Sequence, residues 1–106
     1  MNKELVNHVF DSLQTIENYL SSSKKLLSST SAKEDAQIGE QEKVIEKMRW
    51  VAYELQLEVS KNDMNTSLRL LRIFYGLNHM VRPEIIATYS SLSGKINSST
   101  SSNHSQ

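Results

Sequence analysis

Apolar residues recur at helical spacing along most of this chain, most densely between Met64 and Val81. At about 100° per residue, Met64, Leu68, Leu71, Phe74 and Tyr75 fall on one side of a helix. Leu70, Ile73, Leu77, Met80 and Val81 fall on the other. A helix that is apolar nearly all round is a buried one, so this stretch is predicted to be the hub that other helices cover. Its polar residues collect in one narrow wedge, Asn65, Arg69, Arg72 and His79, expected to be its only strip in water. Crossing a bilayer takes about 20 predominantly apolar residues. The segment is too short and too charged for that, so its cover must come from the rest of a helical bundle.

Three further helices are predicted around it. Leu5, Val6, Val9, Phe10, Leu13, Ile16 and Leu20 make one apolar stripe, which Leu27 continues through a run of serines. From Ser28 to about Gly39 the residues turn small, polar and charged, the composition of a mobile connection. A second helix is expected from about Glu40 to Val59, with Val44, Ile45, Met48, Val51, Ala52, Leu55 and Val59 on its main stripe. Trp50, Tyr53 and Leu57 lie on the opposite side, where two readings compete. They either pack under the first helix or the chain ends, or stay exposed as a contact patch. Asp63 is a candidate N-cap for the stretch at 64–81, because its carboxylate can accept from unpaired N–H groups of the first turn. At Arg82-Pro83 the helix is expected to break, since proline disfavours helical geometry in the residue before it and suits the first position of a new helix. That fourth helix would carry Ile85, Ile86, Tyr89, Leu92 and Ile96 on one face, with Gly94 weakening its last turn. The expectation is one all-α domain over residues 1–97, followed by a polar, unordered tail over 98–106 that has too little apolar surface to offset its ordering entropy.

Composition narrows the chemistry. The 106 residues suit a single core. Twelve basic and twelve acidic residues cancel, leaving no basic excess for nucleic acid. With no cysteine, disulfides, thiolate metal sites and Cys nucleophiles are excluded. The N-terminus has no continuous apolar run of the kind a secretory signal needs, and the expected location is the cytoplasm. Only three Gly and one Pro occur, without long alternating β-branched runs, so strands have little support.

No metal, cofactor or catalytic site is expected. The Glu-x-x-His pairs of di-metal bundles are missing, and Glu42, Glu46, Glu54 and Glu58 lie off the main stripe of their helix. His8, His79 and His104 are isolated, and no phosphate-binding glycine loop or nucleophile elbow occurs. The best recognition strip is basic: Arg69, Arg72 and His79, with Arg82 at the junction and Lys95 on the last helix as further partner-binding candidates. Three arginines within fourteen residues can grip carboxylates or lipid phosphates. The structural alternative is that any buried helix keeps one wet edge, for which Arg is a good helix former.

Read as a unit, Leu68-Arg69-Leu70-Leu71-Arg72-Ile73-Phe74-Tyr75-Gly76-Leu77-Asn78-His79-Met80-Val81-Arg82-Pro83-Glu84-Ile85-Ile86-Ala87-Thr88-Tyr89-Ser90-Ser91-Leu92 resembles the C-terminal half of the immunity proteins for pediocin-like (class IIa) bacteriocins. In that family a proline-containing turn joins the last two helices, and an aliphatic pair and a Tyr follow it, as Ile85, Ile86 and Tyr89 do here. The resemblance covers about a third of the chain. It implies an antiparallel four-helix bundle in the cytosol of a Gram-positive cell; the chain is expected to be a monomer. Such a protein protects its producer by contact, from the cytosolic side, with the sugar-phosphotransferase permease that the bacteriocin has engaged. Peripheral association with the inner membrane face would follow. In the family, specificity lies largely in the C-terminal half. The polar tail here departs from its partly apolar C-terminal segment and shifts expectation toward the wedge and the fourth helix. The competing reading is a small helical adaptor or secretion chaperone that uses Trp50, Tyr53 and Leu57 to hold a partner helix or to dimerise.

Overall fold

A computed structural model describes the backbone of residues 3–104 and the side chains of residues 3–95. It is all-helical, with α1 at Lys3–Leu26, α2 at Ala32–Ser60 and α3 at Met64–His104. Each helix packs on both others. Glu17 meets Arg49 and Lys24 meets Glu42, so α1 and α2 run antiparallel. Gln41 meets Thr88 and Glu34 meets Lys95, which sets α3 antiparallel to α2 and hence parallel to α1. The result is an up-down-up rod with extents of 63 × 24 × 17 Å.

A seven-residue repeat builds the rod. On α1 the buried positions are Val6, Val9, Leu13, Ile16, Leu20 and Ser23, alternating steps of three and four. On α2 they are Glu34, Ile38, Gln41, Ile45, Met48, Ala52 and Leu55, with the same alternation. Steps of three and four keep one narrow seam of each helix against its neighbours and favour left-handed winding. On α3 the seam is Ser67, Leu70, Phe74, Val81, Ile85, Thr88 and Leu92, with Leu77 half-buried between Phe74 and Val81.

The expected fourth helix is therefore a continuation of the third. Leu77, Val81 and Ile85 are separated by two consecutive steps of four, a slip in the repeat that locally relaxes the winding. Pro83 lies inside that slip. It has no N–H to give to the carbonyl of His79, and its ring crowds that carbonyl. Both residues face solvent, however, so water can replace the missing donor. A break at Pro83 would also separate the buried seam on its two sides, and the helix runs through.

Two other expectations change. Residues 64–81 are not a hub buried all round, because three helices leave each with one covered seam. Met64, Leu68, Ile73 and Met80 are exposed, and only Ser67, Leu70, Phe74 and Val81 of this stretch are buried. The polar connection from Ser28 also shrinks, since α2 begins at Ala32. Glu34 and Asp35 in its first turn complement the helix dipole. Ile38 joins the core, and Glu34 takes a seam position by accepting from Lys95 at 2.5 Å. The tail expected over 98–106 concerns residues whose side chains lie outside the described set; the α3 backbone continues to His104.

The turn between α2 and α3 is closely specified. Asn62 takes a left-handed φ of 59°. Its N–H donates to the Val59 carbonyl and that of Asp63 to the Glu58 carbonyl, each at 3.1 Å, the paired bonds of a Schellman C-cap. Asp63 then caps α3 as expected. One of its carboxylate oxygens accepts from the Thr66 N–H at 3.0 Å and the other from the Thr66 hydroxyl at 2.8 Å. These bonds hold its carboxyl below the usual range.

One buried polar layer fixes how α2 and α3 align. Gln41 Nε2 donates to Thr88 Oγ1 at 2.9 Å and to the Glu84 carbonyl at 3.3 Å. Thr88 Oγ1 also donates to that carbonyl at 2.9 Å. Gln41 Oε1 is buried without a partner. A register slip would strand every group in the layer, each at about 1–3 kcal/mol.

Candidate interaction surface

The outward side of α3 collects the residues that the core does not use. From Met64 to Pro83 this helix carries no Asp or Glu. Its exposed positions include Leu68, Arg69, Arg72, Ile73, His79 and Met80. Arg72 and His79 lie seven residues apart, two turns along the same outward line. Arg69 lies one turn from Arg72, near enough to Asp63 for that carboxylate to feel its charge. Among the described residues, the side chains of Arg72 and His79 make no hydrogen bond or ion pair. Protein interfaces are enriched in Arg and Met and depleted in Lys, Glu and Asp at their centres. This face has that composition.

Of the five predicted partner-binding residues, three come together and two do not. Arg69, Arg72 and His79 share the exposed wedge. Arg82 turns into the seam between α1 and α3, donating to Asn78 Oδ1 and to the Ser12 carbonyl, each at 3.4 Å. Lys95 is held at the far end of the bundle by Glu34 and keeps that carboxyl below its ordinary value. Both cations therefore serve the fold. Their places on the wedge are taken by Leu68, Ile73 and Met80, which a reading at 3.6 residues per turn assigned to the interior. The 3.5-residue repeat of the seam was the signal that separates them, since Ile73 and Met80 both precede a seam position, Phe74 and Val81.

A second apolar surface lies on α2. Trp50 is 66% exposed, Tyr53 55% and Leu57 53%, so this stripe is exposed and does not pack under the first helix or the chain ends. Trp50 and Leu57 are one heptad apart on the line opposite the seam. Tyr53 leans toward α1, its ring edge-on to Phe10 at 5.4 Å between centroids. Beside it, the Arg49 guanidinium donates to Glu17 at 2.6 Å, which raises the arginine's pKa and fastens α1 to α2.

The grooves between helices are open and lined by charged and polar side chains. One of about 530 Å³ runs past Lys33, Glu34, Glu40, Gln41 and Thr88. Among the described residues no three His, Asp or Glu side chains converge as metal ligands. No described helix is long and apolar enough to cross a membrane. Comparison with family models, curated proteins and solved structures finds no match to this chain.

Proposed function

We propose that this chain is a non-catalytic recognition protein that docks on an acidic, partly apolar protein surface through the outer face of α3. One observation carries the reading: Arg69, Arg72 and His79 lie exposed among Leu68, Ile73 and Met80, on a stretch of helix, residues 64–83, without a carboxylate. Guanidinium groups grip carboxylates through two parallel hydrogen bonds, and the flanking apolar side chains supply area to bury.

The narrower form of the proposal is bacteriocin immunity, with contact at the cytosolic side of a bacteriocin-engaged sugar permease. Its support is the pattern of residues 68–92, which includes this same face. The proline joint that the family places between its last two helices is helical here, so one long helix would do the work of two. Expression in a strain sensitive to pediocin-like peptides should raise survival. The double variant R69E/R72E should lose that protection while keeping its helical circular dichroism. No gain in survival against a panel of such peptides removes the immunity reading. Protection that withstands R69E/R72E removes the α3 face.

The exposure of Trp50, Tyr53 and Leu57 favours a second reading, a helical adaptor that holds a partner helix on α2. A blue shift of Trp50 emission on adding amphipathic helical peptides would support it, and an unchanged spectrum would oppose it.

A further inference from the structure

We infer that the groove between α2 and α3 receives a helix of a partner protein, one whose apolar stripe carries carboxylates on one flank and Lys or Arg on the other. This rests on the α3 reading and adds to it the partner's shape and its second charge.

The other two grooves are bridged. Arg49–Glu17, Lys24–Glu42 and the Phe10–Tyr53 ring contact close α1 on α2. Arg82 on the Ser12 carbonyl and Tyr19 against Tyr89 close α1 on α3. Between α2 and α3, among the described residues, the side-chain bonds are the Gln41 layer and Glu34–Lys95, both toward one end. There the groove is open, with Gln37 and Glu40 on one wall and Glu84 and Ala87 on the other. These residues stand one before or two after a seam residue, Ile38 or Ile85. Carried up the rod, the same positions are Val51, Glu54 and Glu58 on α2 and Ile73, Gly76 and Met80 on α3.

Counted along the antiparallel pair from Gln41 opposite Thr88, residues 50–60 of α2 come level with residues 69–79 of α3. The α2 stretch holds Glu54 and Glu58 and no Lys, Arg or His; the α3 stretch holds Arg69, Arg72 and His79 and no Asp or Glu. Among the described residues no ion pair joins the two stretches. Glu58 instead meets Lys61, at the end of its own helix, at 3.6 Å. One wall is therefore anionic and the facing wall cationic, with Val51, Ile73 and Met80 between them. An inserted helix with flanks of opposite charge matches both walls, and walls built in steps of three and four accept side chains with the same repeat. Gly76 leaves the middle of the α3 wall without a side chain, although a Cβ there would meet nothing within 4 Å.

The probe is a labelled peptide of about three heptads with Leu on its stripe, Glu on one flank and Lys on the other, titrated with the full chain and followed by fluorescence anisotropy. It should bind about two- to tenfold more tightly than a peptide with Glu on both flanks, the scale of two exposed ion pairs. E54Q/E58Q should erase that difference. Gly76→Leu fills the groove while favouring the helix, so it should raise Tm and abolish binding of both peptides. Exchanging the two flanks of the peptide should reverse the direction in which it lies, read from the end of the groove at which a nitroxide on its N-terminus broadens amide resonances. No binding at millimolar concentration, binding that withstands Gly76→Leu, or one direction for both flank patterns overturns the proposal. Binding that is lost in R69E/R72E but indifferent to the Lys flank and to E54Q/E58Q overturns the helix slot and leaves the α3 reading standing. Binding that withstands R69E/R72E removes both.

Discussion

Replacing Pro83 by Ala separates a continuous α3 from two helices joined at a turn. In a helix interior, proline is about 3 kcal/mol less favourable than alanine, through the missing N–H and the ring's clash with the preceding turn. Two features reduce that figure here. The carbonyl of His79 belongs to an exposed residue and is open to water, so a restored backbone bond nets about 1 kcal/mol. Proline also restricts the unfolded chain, and losing that restriction costs about 0.4–1 kcal/mol. Relief of the ring clash remains, and the net expectation is a gain of about 1–2 kcal/mol. At about 4–8 °C per kcal/mol for a domain near this size, Tm should rise by about 5–15 °C. Urea denaturation followed by circular dichroism, with calorimetry alongside, measures both quantities, and the m-value should not change. If Pro83 opened a separate helix it would occupy the first-turn position where proline is favoured. P83A would then leave stability unchanged or lower it, and that result refutes the continuous helix.

Gln41→Leu should stabilise the fold by about 1 kcal/mol, because it removes a buried oxygen without a partner while Thr88 keeps its bond to the Glu84 carbonyl. Its cost should be register definition, read as broadened amide resonances along α2 and α3. Phe74→Ala removes the largest fully buried side chain and should cost about 3–5 kcal/mol in urea denaturation. The Glu34–Lys95 pair predicts a pH dependence of known sign. Lys95 lowers the Glu34 carboxyl in the folded state, so its stabilisation is complete above the ordinary value of 4.5 and disappears as pH falls through the lowered one. Lys95→Met should therefore be less stable than the parent at pH 6, with the gap closing toward pH 3. A gap that widens on acidification would contradict the pairing.

How much of this was legible in the sequence depended on the kind of signal. The helical class, the seam of α1 and the cap at Asp63 follow from local chemistry, which tertiary structure did not override. The fate of Pro83 did not follow. Proline's local preference is for a break, and only a seam continuous from Phe74 through Val81 to Ile85, bridged on the solvent side, outweighs it. The start of α2 was missed because Ala32 to Gly39 has a single large apolar residue, Ile38, and the burial of Glu34 depends on Lys95, 61 positions away. At the candidate site, Arg69, Arg72 and His79 were recognisable as a wet edge. Arg82 and Lys95 were not separable from them, because their partners, Ser12 and Glu34, belong to other helices. Leu68, Ile73 and Met80 were assigned to the interior, since apolarity alone does not distinguish a seam from an interface.

Docking through α3 requires it to be one straight element whose outer face is presented whole. Introducing Cys at Arg69 and Ser90, both exposed, allows spin labels to be placed on either side of Pro83 without competing thiols. A continuous helix spaces these backbones by 21 residues at 1.5 Å each, about 32 Å, and double electron–electron resonance should give a single distribution near that distance. Helices folded back on each other at Pro83 pack about 8–10 Å apart and would bring the labels to under about 20 Å, an outcome that would contradict the three-helix rod and the recognition face built on it.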